Sequence, residues 1–207
     1  MMTFYFAPGT CSLASHIVLE EVGAAYRAVR IDTGKGEQYG SAYREINPKS
    51  RVPALSTDRG ILTETPAILA FLAQAYPDAG LAPLDDPFAF AEIQAFNSYL
   101  CSTVHVAHAH GRRGSRWADD PAAVAAMKAK MPGNMAACFE LIEATMVAGP
   151  WVMGARYSIA DAYLYTIAGW LAGDGVDPAR FDRIADHTRA MEKRPAVQAA
   201  LAAVGSS

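Results

Sequence analysis

The sequence predicts a small α/β unit followed by an all-helical one. Three observations carry this. The first third alternates short strand-like and helix-like runs. A stretch rich in Pro, Gly and Asp, residues 77–87, then interrupts the pattern. Beyond it the strand signals stop and long helical periodicity takes over. The expected division is an α/β domain over 1–78, a linker over 79–86, and a helical domain over 87–207.

Residues 2–6 read as a strand, with Thr3 and Tyr5 on one face and Phe4 and Phe6 on the other. Pro8-Gly9-Thr10 is a turn signal. A helix is expected from about Cys11 to Val22, its apolar face formed by Leu13, Ala14, Ile17 and Val18, with Gly23 at its C-terminal end. A second strand follows over 26–31. Residues 35–43 read as a loop and a short helix. The runs 52–57 and 61–64 are joined by Asp58-Arg59-Gly60, a hairpin signal. Thr65-Pro66 then opens a helix reaching about Tyr76, with Thr65 as its expected cap. Strand, crossover, strand and then a hairpin give a small mixed sheet with helices on its faces.

Helical stretches are expected at about 88–111, 121–146, 158–171, 178–193 and 195–204. Pro121, Pro178 and Pro195 mark first turns. Ser158-Ile159-Ala160-Asp161 reads as a capping box with Asp in place of Glu.

The chain has 207 residues, 52% of them hydrophobic and 19% charged, enough for a sizeable core. A net charge of −3 provides no global attraction to nucleic acid or acidic lipid. Arg112, Arg113 and Arg116 form a local basic cluster, read as a solvated helix end, with an anion site as the alternative. No apolar run approaches the roughly 18 residues a membrane span needs. The expected location is cytoplasmic. Three cysteines, widely spaced and without a CxxC pair, form neither a disulfide framework nor a zinc site.

Cys11 is the most informative residue. It follows a strand and a tight turn and opens a helix, where free N–H groups and the helix dipole favour a thiolate. Ser12 could hydrogen-bond to its sulfur. A structural cysteine fits the same position. Cys101 and Cys138 fall in helices among apolar neighbours and read as packing. Glu64-Thr65-Pro66 sits where a strand becomes a helix. There Thr65 could hold a carboxylate and Glu64 an ammonium, or the segment could be a simple cap. Pro53 cannot donate to a sheet, so Val52-Pro53 implies an edge or a special backbone geometry, a cis bond included. His105, His108 and His110 lack a matching carboxylate or thiol for a metal shell, and a single His pointing into a cleft is the better reading.

Taken together, the stretches Tyr5 to His16, Ile46 to Leu55, Leu62 to Ile68 and Ser158 to Asp161 resemble the cytosolic glutathione transferases, in particular the bacterial cysteine type, the beta class. The resemblance implies a thioredoxin-like N-terminal domain, a helical C-terminal domain lining an electrophile pocket around Pro8, Phe88 to His110 and Trp117, and a homodimer. It implies glutathione as co-substrate, a small electrophilic or disulfide partner, and no metal.

Residue by residue, it implies Cys11 facing the glutathione sulfur, with Ser12 and His105 assisting. The Val52 backbone before a cis Pro53 would pair with the cysteinyl backbone, and Glu64 and Thr65 would take the γ-glutamyl end. Lys35 would lie near the glycyl end, with Tyr5 and Arg51 near the ligand. Two positions depart from the class. Val106 replaces a lysine, and Ser98 stands where an asparagine precedes the histidine by seven residues. Asn97 is one position off, on another helical face. The implied activity is conjugation of glutathione to electrophiles, with thiol–disulfide exchange through Cys11. Ala14 stands where a second redox cysteine would be, making any such cycle monothiol. A non-catalytic interaction module on the same fold is the alternative.

Overall fold

The computed structural model describes residues 1–205. Its N-terminal part is a four-stranded sheet built from β1 (Met2–Phe6), β2 (Tyr26–Arg30), β3 (Ala54–Thr57) and β4 (Gly60–Thr63), in the order β2-β1-β3-β4. β1 pairs parallel with β2 through the crossover helix α1 (Ser12–Glu21), and antiparallel with β3, placing Phe4 opposite Leu55. β3 and β4 form the expected hairpin. β3 begins two residues later than its apolar run, because Pro53 has no N–H for the ladder. α2 (Ser41–Ile46) fills the connection, and α3 (Thr65–Ala75) packs beside α1. Phe4, Ile17, Leu55, Leu69 and Leu72 are fully buried between sheet and helices. This is a thioredoxin-like mixed sheet, as the resemblance implied.

The remainder is helical: α4 (Pro87–Tyr99), α5 (His105–Arg113), α6 (Pro121–Leu141), α7 (Ile159–Ala168), α8 (Asp182–Glu192) and α9 (Pro195–Gly205). Asp86 and Asp120 cap α4 and α6 by accepting from first-turn N–H groups. The stretch expected from 178 divides. Pro178–Arg180 is a separate 3-10 turn, and extended Phe181 delays α8 to Asp182. Between α4 and α5, Leu100–Val104 is π-helical. No helix among the described residues is long and apolar enough to cross a membrane.

The capping box at α7 forms as expected and does more than cap. Asp161 is fully buried and accepts from the N–H groups of Val152 and Ser158, both at 2.7 Å, with His187 Nε2 at 3.0 Å. One carboxylate thus joins the start of α7, the preceding loop and α8. The sheet-bearing and helical parts are tied by a two-point pair, Arg194 to Glu21, at 2.6 and 2.9 Å, with the guanidinium 3.7 Å above the Tyr157 ring. Ile159 also donates its N–H to Leu81 O in the connecting segment, at 3.0 Å.

Candidate active site

The turn after β1 decides where Cys11 lies. Gly9 takes φ +68°, a left-handed conformation that suits glycine. Thr10 Oγ1 donates to Ala7 O at 2.8 Å, and Ser12 Oγ lies 3.1 Å from the same carbonyl and 2.7 Å from Thr10 Oγ1. The expectation that Ser12 bonds to the sulfur is therefore not met. Its hydroxyl is buried and committed to fastening the turn. Cys11 occupies the cap position of α1, 9% exposed, its Sγ 3.7 Å from Val52 O.

Burial pushes the Cys11 thiol up from its ordinary value; the nearby Thr65 hydroxyl and Arg113 act in the other direction without reversing it. The thiolate expected from the helix dipole alone is thus outweighed by desolvation in the unliganded protein.

The β3 side of the cleft is held from behind. The Tyr43 hydroxyl and Asn47 Nδ2 both donate to Arg51 O at 2.7 Å, fixing the segment before the cis Val52–Pro53 bond. Across the hairpin, Glu64 precedes α3 at φ +71°, a conformation non-glycine residues rarely adopt and which often accompanies functional geometry. Glu64, not Thr65, occupies the cap position, and neither side chain caps the helix. Thr65 Oγ1 is left buried with no hydrogen-bond partner among the described residues. The Glu64 carboxylate meets Lys49 Nζ, which also donates to Thr63 Oγ1 at 2.6 Å.

His105 enters from the helical side. Its ring packs edge-on against Trp170, with centroids 4.9 Å apart. Burial first, then His108 and the neighbouring arginines, lower its pKa to about 4, so the imidazole is neutral near pH 7. His108, stacked on Trp170 with centroids 4.3 Å apart, meets buried Asp174 at 2.6 Å, and Arg112 Nε donates to the same carboxylate at 3.1 Å. The π turn also changes the helical phase between Asn97 and His105, while Asn97 itself lines neither lobe of the cleft. A π turn absorbs one extra residue, so the eight-residue step from Asn97 to His105 spans about the angle that seven cover in an α-helix. Asn97 is fully buried, and its amide has no partner among the described residues.

These residues meet in one cleft with two lobes sharing Cys11, Arg51, Val52 and His105. One lobe, about 290 Å³, adds Pro53, Glu64, Thr65 and, from the helices, Val106, Trp117 and Tyr163. The other, about 410 Å³, adds Gln38, Tyr39, Arg113, Arg116 and Trp170. Cys101 lines the first lobe, so the packing role read from its helix is incomplete.

Besides Ser12, the expected residues Pro8, Lys35, Tyr5 and Phe88 line neither lobe. Lys35 points to solvent beside Asp32, while Thr33 lines the second lobe in its region. Tyr5 packs edge-on against Tyr43. Phe88 is 75% exposed and lines neither lobe. A larger cavity, about 570 Å³, lies between α1, α7 and α8. It shares Thr10 and Trp170 with the cleft but reaches neither Cys11 nor His105. Among the described residues no group of three His, Cys, Asp or Glu could hold a metal ion.

Comparison with known proteins agrees with this geometry. Residues 1–74 match the family model for the glutathione S-transferase N-terminal domain. The chain is 33% identical over 207 residues to the glutathione S-transferase GstA of Escherichia coli O157:H7, covering 99% of each. A glutathione transferase homologue from Sulfitobacter, solved with bound glutathione, superposes with a TM-score of 0.93 at 46% identity over 96% of each chain. The beta-class glutathione S-transferase of Sphingomonas chungbukensis gives 0.86 at 32% identity over 98% of each. By fold, by sequence along its whole length and by the furnishing of its cleft, this chain belongs to the glutathione S-transferase family.

Proposed function

We propose that this glutathione S-transferase conjugates reduced glutathione to small electrophiles in the Cys11 cleft. The observation that carries the reading is the buried Thr65 hydroxyl in the lobe that also holds Cys11 and Val52. Beyond its influence on the Cys11 thiol, it has no hydrogen-bond partner within normal distance among the described residues. A buried hydroxyl with so little hydrogen bonding at a cleft wall suits a ligand group. The first turn of α3 and this hydroxyl take the γ-glutamyl carboxylate, while Glu64 exchanges Lys49 for the ligand ammonium. The Val52 backbone and Arg51 flank the cysteinyl and glycyl parts.

Two thiolates side by side repel, so one sulfur must keep its proton. Burial makes that sulfur Cys11. Its S–H then donates to the glutathione thiolate, which attacks the electrophilic carbon. A C–S bond forms and the leaving group departs with its electron pair. The proton lost by glutathione passes to solvent, and neutral His105 at the cleft adds no positive charge beside the sulfurs. Turnover of glutathione with 1-chloro-2,4-dinitrobenzene is the test. No conjugation at high enzyme and thiol concentrations would sink the reading, and the non-catalytic alternative would then stand.

Exposure of Cys11 to the same lobe supports a second activity, thiol–disulfide exchange. The deprotonated Cys11 sulfur attacks a glutathione mixed disulfide and releases the other thiol. A second glutathione thiolate then attacks the glutathione sulfur of the Cys11 mixed disulfide, forming glutathione disulfide, and the Cys11 sulfur leaves with the bonding pair.

A further inference from the structure

The second lobe of the cleft is strongly cationic. Arg51, Arg112, Arg113 and Arg116 all line it, and no Asp or Glu does. Only Arg112 is neutralised, by buried Asp174. The other three guanidinium groups form no ion pair among the described residues. They crowd one another: burial, then Arg116, with Arg51 further down, disfavours the charged form of Arg113, while the Cys11 sulfur favours it. Arg113 is partly buried while Arg51 and Arg116 are exposed, so their mutual repulsion is screened in part by solvent, and an anionic ligand that displaces that solvent is attracted to all three.

Glutathione accounts for only part of this. Its γ-glutamyl end, a zwitterion, belongs to the lobe of Glu64 and Thr65. Only the glycyl carboxylate is left for the second lobe, one negative charge against three free guanidinium groups. Arg113 and Arg116 come from the helical side, beyond the shared edge at Cys11 and His105 where the second substrate must stand. Tyr39, Gln38 and Ser115 make this wall polar rather than greasy.

We propose that the second substrate of this enzyme is itself anionic: a small carboxylate-bearing electrophile whose carboxylate is held by Arg113 and Arg116. This rests on the conjugation reading above. With 4-chloro-3-nitrobenzoate as probe, the glutathione thiolate attacks the ring carbon bearing chlorine. The C–S bond forms and chloride leaves with the bonding pair, while the carboxylate stays intact on its arginines.

The test separates binding from turnover. The protein is saturated with S-methylglutathione, which has no thiol, and titrated calorimetrically with 4-chloro-3-nitrobenzoate and with its neutral isostere, 4-chloro-3-nitrobenzamide. The benzoate is expected to bind about tenfold more tightly, the size of one charge-assisted contact. That preference should fall towards unity in Arg113→Gln and, separately, in Arg116→Gln, and should shrink with added salt. Equal affinities, or no benzoate binding at millimolar concentration, overturn the proposal. A preference that both variants retain overturns its assignment to these arginines. If S-methylglutathione does not bind, the conjugation reading fails, and the same pair titrated against the free protein still decides the anion preference. Turnover with glutathione is read separately: anion preference without conjugation refutes the reaction and leaves the binding inference standing.

Discussion

Cys11, Thr65 and His105 each do something their residue type alone does not dictate. Cys11 sits at a helix start yet is held protonated by burial. Cys11→Ser should therefore keep conjugation within about tenfold of wild type, since serine can donate the same hydrogen bond. Glutathione-dependent reduction of 2-hydroxyethyl disulfide should fall to background. A mutant with full exchange activity would show that Cys11 is not the redox residue. Thr65→Val removes one hydroxyl without changing shape. It should weaken glutathione about five- to tenfold, the worth of one hydrogen bond; unchanged affinity would remove Thr65 from the ligand site. At this scale the sequence was partly legible. The Cys11, Val52-Pro53 and Glu64-Thr65 positions come together as motif and spacing suggest. Ser12, Lys35 and Tyr5 do not reach the cleft, because side-chain direction follows from local turn closure and packing that no motif encodes. Arg113 was readable as a helix end or an anion site without a location, and no motif marked Trp170 as a cleft residue. What places them in the cleft is the meeting of α5 with the segment after α7.

Individual elements show why some boundaries were legible and others not. Helix starts marked by Asp-Pro appear at α4 and α6, where the aspartate side chain accepts from the first turn. The same signal at Asp177-Pro178 yields only a 3-10 turn, since the chain must extend at Phe181 to bury that ring. The π turn at Leu100–Val104 was not legible, because its signature is an extra residue and not a residue type. The capping box of α7 was legible in full, but not the reach of Asp161 to Val152 and His187. Removing that carboxylate orphans two backbone N–H groups and a buried histidine together. Asp161→Ala should cost roughly 3–5 kcal/mol in chemical denaturation, the range for breaking a buried polar network. A loss under about 1 kcal/mol would mean the network is not a structural hub.

Across the whole molecule, acid stability and ligand binding follow from where charge is excluded. His105 titrates near 4 in the folded chain against 6.5 for the ordinary side chain, and burial lowers His16 as well, among Phe4, Phe6 and Tyr26. As pH falls below about 6.5 the unfolded chain takes up these protons first, so stability should drop between about 6.5 and 4. His105→Gln should flatten part of that slope in urea melts at a series of pH values; an unchanged slope would show that His105 is not held neutral by the fold.

Both activities proposed for this protein depend on glutathione binding in the cleft at Cys11, Val52 and Thr65. Calorimetric titration of glutathione into the purified protein tests it most directly. Saturable binding near about one glutathione per chain, weakened in Thr65→Val, is the predicted result. No heat at millimolar glutathione, over a range of temperatures and with the chain folded by circular dichroism, would contradict it.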